Sequence, residues 1–144
     1  MLIEEIPRQS CIEILSHERL GRLACAHAGQ PYITPLFFVY HSDALYSFST
    51  VGQKIDWMRA NPLVCVELDD VKTAQQWLSV IVFGRYEELS REYEADRQLA
   101  YNLLHQRPVW WEPGFAARSD SEPRLELVYF RIHIAQITGR RATS

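Results

Sequence analysis

The chain has 144 residues, of which 47% are hydrophobic and 23% charged, and its formal net charge is −3. This length predicts a single domain over residues 1–144, and the composition excludes a disordered or collagen-like chain. The slight acidic excess also excludes the strongly basic surface that nucleic acids and anionic membranes attract. This net charge is still compatible with a local basic pocket.

The N-terminal sequence, the apolar runs and the cysteines together indicate where the protein is located in the cell. No apolar run approaches the roughly 20 residues of a membrane-spanning helix. The N-terminus reads Met-Leu-Ile-Glu-Glu, which is acidic where a secretory signal is basic. Three cysteines without Cys-x-x-Cys spacing predict free thiols rather than a disulfide framework or a zinc site. We therefore expect a soluble cytoplasmic protein without a membrane or nucleic-acid partner.

The first half of the chain predicts two short helices and three strands. In chain order these are a helix after Pro7, strands at 21–26, 32–40 and 44–49, and a helix at 54–60. A turn at 28–30 joins the first two strands. The second helix ends at Asn61, because the residue before a proline avoids the helical conformation.

The second half predicts three more strands and one helix. The elements are a strand at 63–68, a polar connection at 69–72, a long strand at 76–88, a helix at 91–106, an irregular loop at 108–123 and a last strand at 125–138. Short strands with short connections favour an antiparallel barrel over a parallel sheet.

The stretch 46–56 is the strongest candidate for a binding site. A strand delivers the hydroxyls of Ser49 and Thr50, Gly52 permits a tight approach, and Lys54 lies at a helix start. Free N–H groups and the helix dipole at such a start favour an anion such as a phosphate. The alternative is an ordinary helix start with a solvated lysine. No Walker A loop or GxGxxG motif is present.

The strand 32–40 contains Pro35, which indicates a sheet edge or a bulge. A bulge could present backbone amides, such as that of Leu36, to a planar heterocycle flanked by Phe37 and Tyr40. In the alternative, Pro35 protects an edge and the aromatic side chains fill the core.

The strand 76–88 alternates between two faces. Trp77 and Ser79 share one face, where a serine beside a tryptophan can hydrogen-bond a ligand. Gly84 indicates a bend or a close backbone approach. The alternative is a core strand that ends in a solvated Arg85.

Other chemistry has little support in the sequence. The five histidines are scattered without metal-ligand spacing, and no nucleophile elbow or catalytic acid or base stands out. We therefore predict no metal and name no catalytic residue. Trp110 and Trp111 suit an oligomer interface, a ligand lid or closure of the core.

These stretches, taken in order, resemble one known family. The segments that carry the likeness are 21–24, 31–40, 46–54, 61–67, 77–85 and 137–140. They resemble the pyridoxamine 5′-phosphate oxidase-like, flavin-binding split barrels, and within them the short branch that includes nitroimidazole-resistance proteins.

The resemblance implies a six-stranded antiparallel Greek-key split β-barrel with short flanking helices. It further implies a homodimer with a cofactor, expected to be FMN, between the subunits; relatives also use FAD, a deazaflavin or haem. The implied phosphate ligands are Ser49, Thr50 and Lys54. The implied ring contacts are Thr34, Pro35, Leu36, Phe37, Trp77 and Ser79, with Trp110 from the facing subunit.

The implied function is an oxidoreductase that passes electrons from a nicotinamide donor to a small acceptor such as a nitroaromatic or quinone. A flavin- or haem-binding storage or sensor protein is the alternative, and a vestigial cleft is a third. The chain ends soon after Arg140 and Arg141, so we do not expect the pyridoxamine phosphate substrate. Fold alone does not choose among these functions.

Overall fold

The computed structural model describes residues 1–106 and 126–144 of the chain. This part contains eight strands and three α-helices: β1 (Leu2–Glu5), α1 (Arg8–His17), β2 (Leu20–His27), β3 (Gln30–Phe37), β4 (Val39–His41), β5 (Ala44–Thr50), α2 (Gln53–Ala60), β6 (Leu63–Thr73), β7 (Gln76–Glu88), α3 (Glu94–His105) and β8 (Leu127–Thr143). A 3-10 turn at Arg91–Tyr93 precedes α3. The whole of the predicted loop at 108–123, with Trp110 and Trp111, lies outside the described residues.

The strands form one antiparallel sheet in the order β3-β2-β6-β7-β8-β5-β4, and β1 pairs with β8. This arrangement is an antiparallel split β-barrel, and the predicted fold class is confirmed. Three pairings among the described strands join strands that are not consecutive in the chain, namely β2 with β6, β5 with β8 and β1 with β8. The sheet therefore brings the beginning and the end of the chain against its centre.

The described residues hold eight strands where the sequence analysis expected six. The predicted strand at 32–40 divides at Phe38, whose side chain is fully buried and whose N–H donates to the Arg19 carbonyl. The other added strand is β1, which pairs with the end of β8. Its four side chains are exposed, so it carries no alternating pattern that the sequence could reveal.

Two strands are also longer than predicted. Strand β6 continues to Thr73 because β7 offers it a hydrogen-bonding edge along that length. Strand β8 continues past Gly139 to Thr143, between β7 and β1. A Cβ on Gly139 would lie 2.7 Å from the Cys11 Sγ, so this glycine allows α1 to pack closely rather than ending the strand.

The helices bury short apolar stripes at helical spacing. Cys11 and Leu15 of α1, Ile55 and Met58 of α2, and Ala100 and Leu104 of α3 are the buried members. The first two helices cover the main core, and α3 covers a second cluster on the opposite face of β5. Among the described helices, none has both the length and the apolar character to cross a membrane.

Candidate functional site

The junction between β5 and α2 carries the residues for which an anion site was predicted. Ser49 and Thr50 end β5, and α2 begins after Gly52, which is extended and supplies no side-chain cap. The first intrahelical bond runs from the Asp56 N–H to the Gly52 carbonyl, at 3.0 Å. The N–H groups of the first turn before it have no acceptor within the helix. We call this junction, with Lys54, the α2 site.

Lys54 is the only cation that the α2 site itself contributes. Its side chain is half-buried, and no described carboxylate lies within 4.0 Å of its ammonium group. Burial lowers the pKa of Lys54, and the neighbouring Cys25 thiol opposes this effect. Burial likewise raises the pKa of the Cys25 thiol, against the opposing charge of Lys54. A half-buried ammonium without an acidic partner is suited to an external anion.

The β2–β3 hairpin places part of the predicted ring-binding segment beside α2. Cys25 pairs with Tyr32 and Leu23 with Thr34, and these four residues face inward. The Tyr32 ring meets the Trp57 ring of α2 at a centroid distance of 5.6 Å. Thr34 lies two positions further along the same face, so it belongs to the surroundings of the α2 site.

Pro35 and Phe37 lie on the opposite, outer face of the sheet, where both are exposed. Pro35 was predicted to mark a sheet edge or a bulge. Strand β3 ends the strand order and pairs with β2 without a register shift, so the edge is confirmed and the bulge is not found. The Phe38 N–H donates to the Arg19 carbonyl, just before β2. N–H groups two residues apart in a strand point to the same side, so the Leu36 N–H also points toward β2. The amides on the far side of β3 belong to Ile33 and Phe37, and Pro35 between them has no N–H.

Trp77 and Ser79 also lie on the outer face, at some distance from the α2 site. Together with Ile81, Glu5 and Arg140 they line a cavity of about 680 Å³ between β7, β8 and the end of β1. The register aligns Pro35, Arg22, Glu67 and Ile81 across four strands. Three strand spacings of about 4.8 Å therefore separate β3 from β7. Within one chain, the predicted ring and phosphate ligands form two groups rather than one.

The α2 site fits the phosphate of a flavin. It combines two hydroxyl groups, the start of a helix and an ammonium group without an acidic partner, which are the donors that bind phosphate in proteins. The Ser49 hydroxyl donates to the Thr50 carbonyl at 3.0 Å, so it would rotate to meet a ligand. No group of three or more His, Cys, Asp or Glu side chains suited to a metal ion occurs in residues 1–106 and 126–144.

The sequence analysis missed a charged group on the outer face. Arg22 lies 3.6 Å from Glu67 and 3.7 Å from Asp69, measured from its Nη1 to the nearer carboxylate oxygens. Burial, followed by the adjacent Asp69, raises the pKa of Glu67 to about 7 against the opposing charge of Arg22. The spacing of Glu67 and Asp69 predicts a shared strand face, but only the β2–β6 register brings Arg22 to them.

Comparison with known proteins gives one family match and close relatives. The family model described as pyridoxamine 5′-phosphate oxidase matches residues 7–141. An uncharacterized protein of Rhizobium meliloti is 37% identical over 146 residues, which cover 99% of this chain and 97% of the relative.

Two solved structures extend the comparison. An FAD-binding protein from Mesorhizobium loti is 43% identical, with a TM-score of 0.82 and coverage of 99% of this chain and 100% of the other. A candidate 5-nitroimidazole antibiotic resistance protein from Bacteroides thetaiotaomicron is 20% identical, with a TM-score of 0.71 and coverage of 100% and 93%. At 20% identity, the likeness to the Bacteroides protein concerns the fold alone.

The carboxyl pair predicts a pH-dependent stability. Because the pKa of Glu67 is raised in the folded chain, the folded state holds more protons than the unfolded state between pH 4.5 and about 7. Stability therefore falls as pH rises through this window. Glu67→Gln removes this loss. At pH 8 the free energy of unfolding of the variant should therefore exceed that of the parent by about 1 kcal/mol, a value that allows for solvent screening.

The measurement is denaturant unfolding of both proteins from pH 5 to pH 8. Glu92→Gln, at an exposed position before α3, is the control and should leave the pH profile unchanged. A parallel pH profile for Glu67→Gln and the parent would contradict the assignment.

Proposed function

Because this chain belongs to the pyridoxamine 5′-phosphate oxidase family, we propose that it is a flavin-dependent oxidoreductase. The cofactor phosphate binds at the α2 site, and the electrons pass from a nicotinamide donor to a small acceptor such as a nitroaromatic or a quinone. The observation that carries the binding site is Lys54, which is half-buried at a helix start and has no carboxylate partner among the described residues.

The local surroundings support a phosphate more than any neutral ligand. Burying an ammonium group costs free energy unless a partner of opposite charge is present. A phosphate would supply that partner, accept hydrogen bonds from Ser49 and Thr50, and interact favourably with the helix dipole. Asp56 also lies in the first turn of α2, but its side chain is exposed and does not neutralise Lys54.

FMN, the cofactor expected from the sequence, satisfies this site, and so does the FMN portion of FAD. A relative of 43% identity is an FAD-binding protein, which supports a flavin here. When bound, the flavin supplies the redox chemistry, and the protein supplies binding, orientation and electrostatics. We further propose that the ring system lies along the edge of β3, next to Thr34, whose pairing with Leu23 puts it on the inward face beside the α2 site.

We also propose that the site is completed by a second copy of the chain. Leu20, Ile33, Leu63 and Phe83 share the outer face with Trp77 and Ser79, and between 40% and 65% of each of these four side chains is exposed. An apolar face of this kind is typical of a protein interface. Pairing two such faces would bring Trp77 and Ser79, which line a cavity within one chain, toward the second copy.

The function is tested first by the absorption spectrum of freshly purified protein and by mass analysis of any released cofactor. We expect flavin bands and an FMN or FAD mass. Anaerobic stopped-flow mixing with NADH and NADPH should then bleach the flavin, and a nitroaromatic or a quinone should restore its colour. Bound flavin that neither donor reduces would favour storage or sensing, and a Soret band would indicate haem. A colourless protein that binds no added flavin would overturn the proposal.

The phosphate site is tested by Lys54→Ala. Loss of one charge-assisted hydrogen bond costs about 1.5–3 kcal/mol, so flavin affinity should fall roughly 10- to 150-fold in a fluorescence titration. Lys54→Arg should retain most of the affinity. Lys72→Ala, at an exposed position on β6, is the matched control. Equal affinities for Lys54→Ala and Lys72→Ala would place the phosphate elsewhere.

The proposal that a second copy of the chain pairs on the outer face is tested by Phe83→Asp, which puts a charge on that face. We expect the parent to sediment as a dimer, and the variant to sediment as a monomer with weakened flavin binding. Tyr93→Asp, exposed before α3, is the control and should stay dimeric. A monomeric parent that binds flavin fully would refute the second copy without affecting the phosphate site.

A further inference from the structure

Three aromatic rings lie together next to the α2 site. The Trp57 ring of α2 is 5.8 Å from the His27 ring and 5.6 Å from the Tyr32 ring, measured between centroids. His27 and Tyr32 lie near the end of the β2–β3 hairpin. We call these three side chains the ring cluster. It draws on two elements that approach each other only in the folded chain.

The ring cluster and Lys54 share one side of α2. Trp57 follows Lys54 by three residues, so both side chains project from neighbouring positions on the same helix face. Three residues correspond to a rise of about 4.5 Å along the helix axis. A ligand whose phosphate meets Lys54 therefore has an aromatic surface within reach of any group that extends beyond that phosphate.

The ring cluster is held in position from behind. Trp57 and Tyr32 are half-buried and pack against the main core, while His27 is exposed. The Asn61 side chain donates to the Ala26 carbonyl at 3.1 Å, and the Asn61 N–H donates to the Trp57 carbonyl at 2.8 Å. The first bond ties the end of α2 to β2, and the second closes the last turn of α2. The cluster is thus a preformed surface with one side toward solvent, which lowers the entropic cost of binding.

We propose that the ring cluster binds the adenine of FAD, so that the chain prefers FAD to FMN. This inference rests on the proposed function, because it takes Lys54 as the ligand of the flavin phosphate. FAD continues past the FMN phosphate with a second phosphate, a ribose and an adenine. Adenine presents a flat π-face for stacking on Trp57 or His27, and the second phosphate adds a negative charge near Lys54. FMN ends at its phosphate and leaves the cluster empty.

The expected ratio of FAD affinity to FMN affinity follows from the stacking of adenine on an aromatic ring. One base stacked on an aromatic side chain contributes about 1–3 kcal/mol, as measured by alanine substitution. This range corresponds to roughly 5- to 150-fold in affinity. The parent should therefore bind FAD more tightly than FMN by a factor in this range.

The experiment compares FAD and FMN binding to apo-protein by isothermal titration calorimetry. Trp57→Leu should weaken FAD binding toward that of FMN and leave FMN affinity within about twofold. Trp57→Phe, which retains an aromatic face, should retain much of the preference. His27→Ala changes an exposed side chain, so it tests the cluster without disturbing the core if Trp57→Leu fails to fold. Tyr93→Leu, on an exposed ring remote from α2, is the matched control.

The outcomes separate this inference from the proposed function. A parent that binds neither flavin overturns the proposed function. A parent that binds FMN and FAD equally well leaves the proposed function intact and overturns the role of the ring cluster. The role of the ring cluster would also be overturned if Trp57→Leu and His27→Ala each lowered the affinities for FAD and FMN by the same factor. That result would mean that the rings only maintain the shape of the phosphate site.

Discussion

Strand β8 is the element on which the rest of the fold depends, because it pairs with three of the described strands whereas the others pair with one or two. One edge pairs with β7 from Phe130 to Ala142, and the other pairs first with β5 and then with β1. Such pairing needs close backbone approach, and a Cβ on Gly84 of β7 would lie 2.6 Å from the His133 carbonyl oxygen. The same ladder holds Ser49 and Thr50 opposite the start of β8, so the geometry of the α2 site depends on it.

The α2 site departs from the rule that a buried charge has a partner. Arg131 obeys it, because it joins Glu87, Asp96 and the Tyr46 hydroxyl, and the more exposed Arg59 meets Glu88 at 2.7 Å. Among the described residues, the half-buried Arg19 and Arg97 have, like Lys54, no carboxylate partner, and their Nε atoms are buried without a hydrogen-bond acceptor. Lys54 is half-buried beside a thiol and has no described acid to neutralise it. Proteins tolerate such local conflicts mainly where a ligand resolves them. What distinguishes Lys54 is that its ammonium group lies at the start of α2, beside the free N–H groups of the first turn.

Prediction succeeded where a residue's role depended on its near neighbours. The end of α2 before Pro62 and the full length of β7 follow from proline sterics and a strong two-residue alternation, and both are confirmed. Errors occurred where pairing overrode local preference. The polar residues 69–72 form a strand because β7 pairs with them, and Gly139 lies within β8 because Val80 of β7 pairs with it. Strand β1 has no buried face to reveal it.

The sequence by itself determined the fold class and the family, and it predicted an anion site at Ser49, Thr50 and Lys54, because short-range patterns and side-chain types express these properties directly. Only the tertiary structure decided which of these residues meet. It placed Trp57, Tyr32 and His27 together beside Lys54, and it placed Trp77 and Ser79 on another face, three strands from β3. The physical reason is strand register, which sets the face and the neighbours of every side chain and depends on pairing between distant segments.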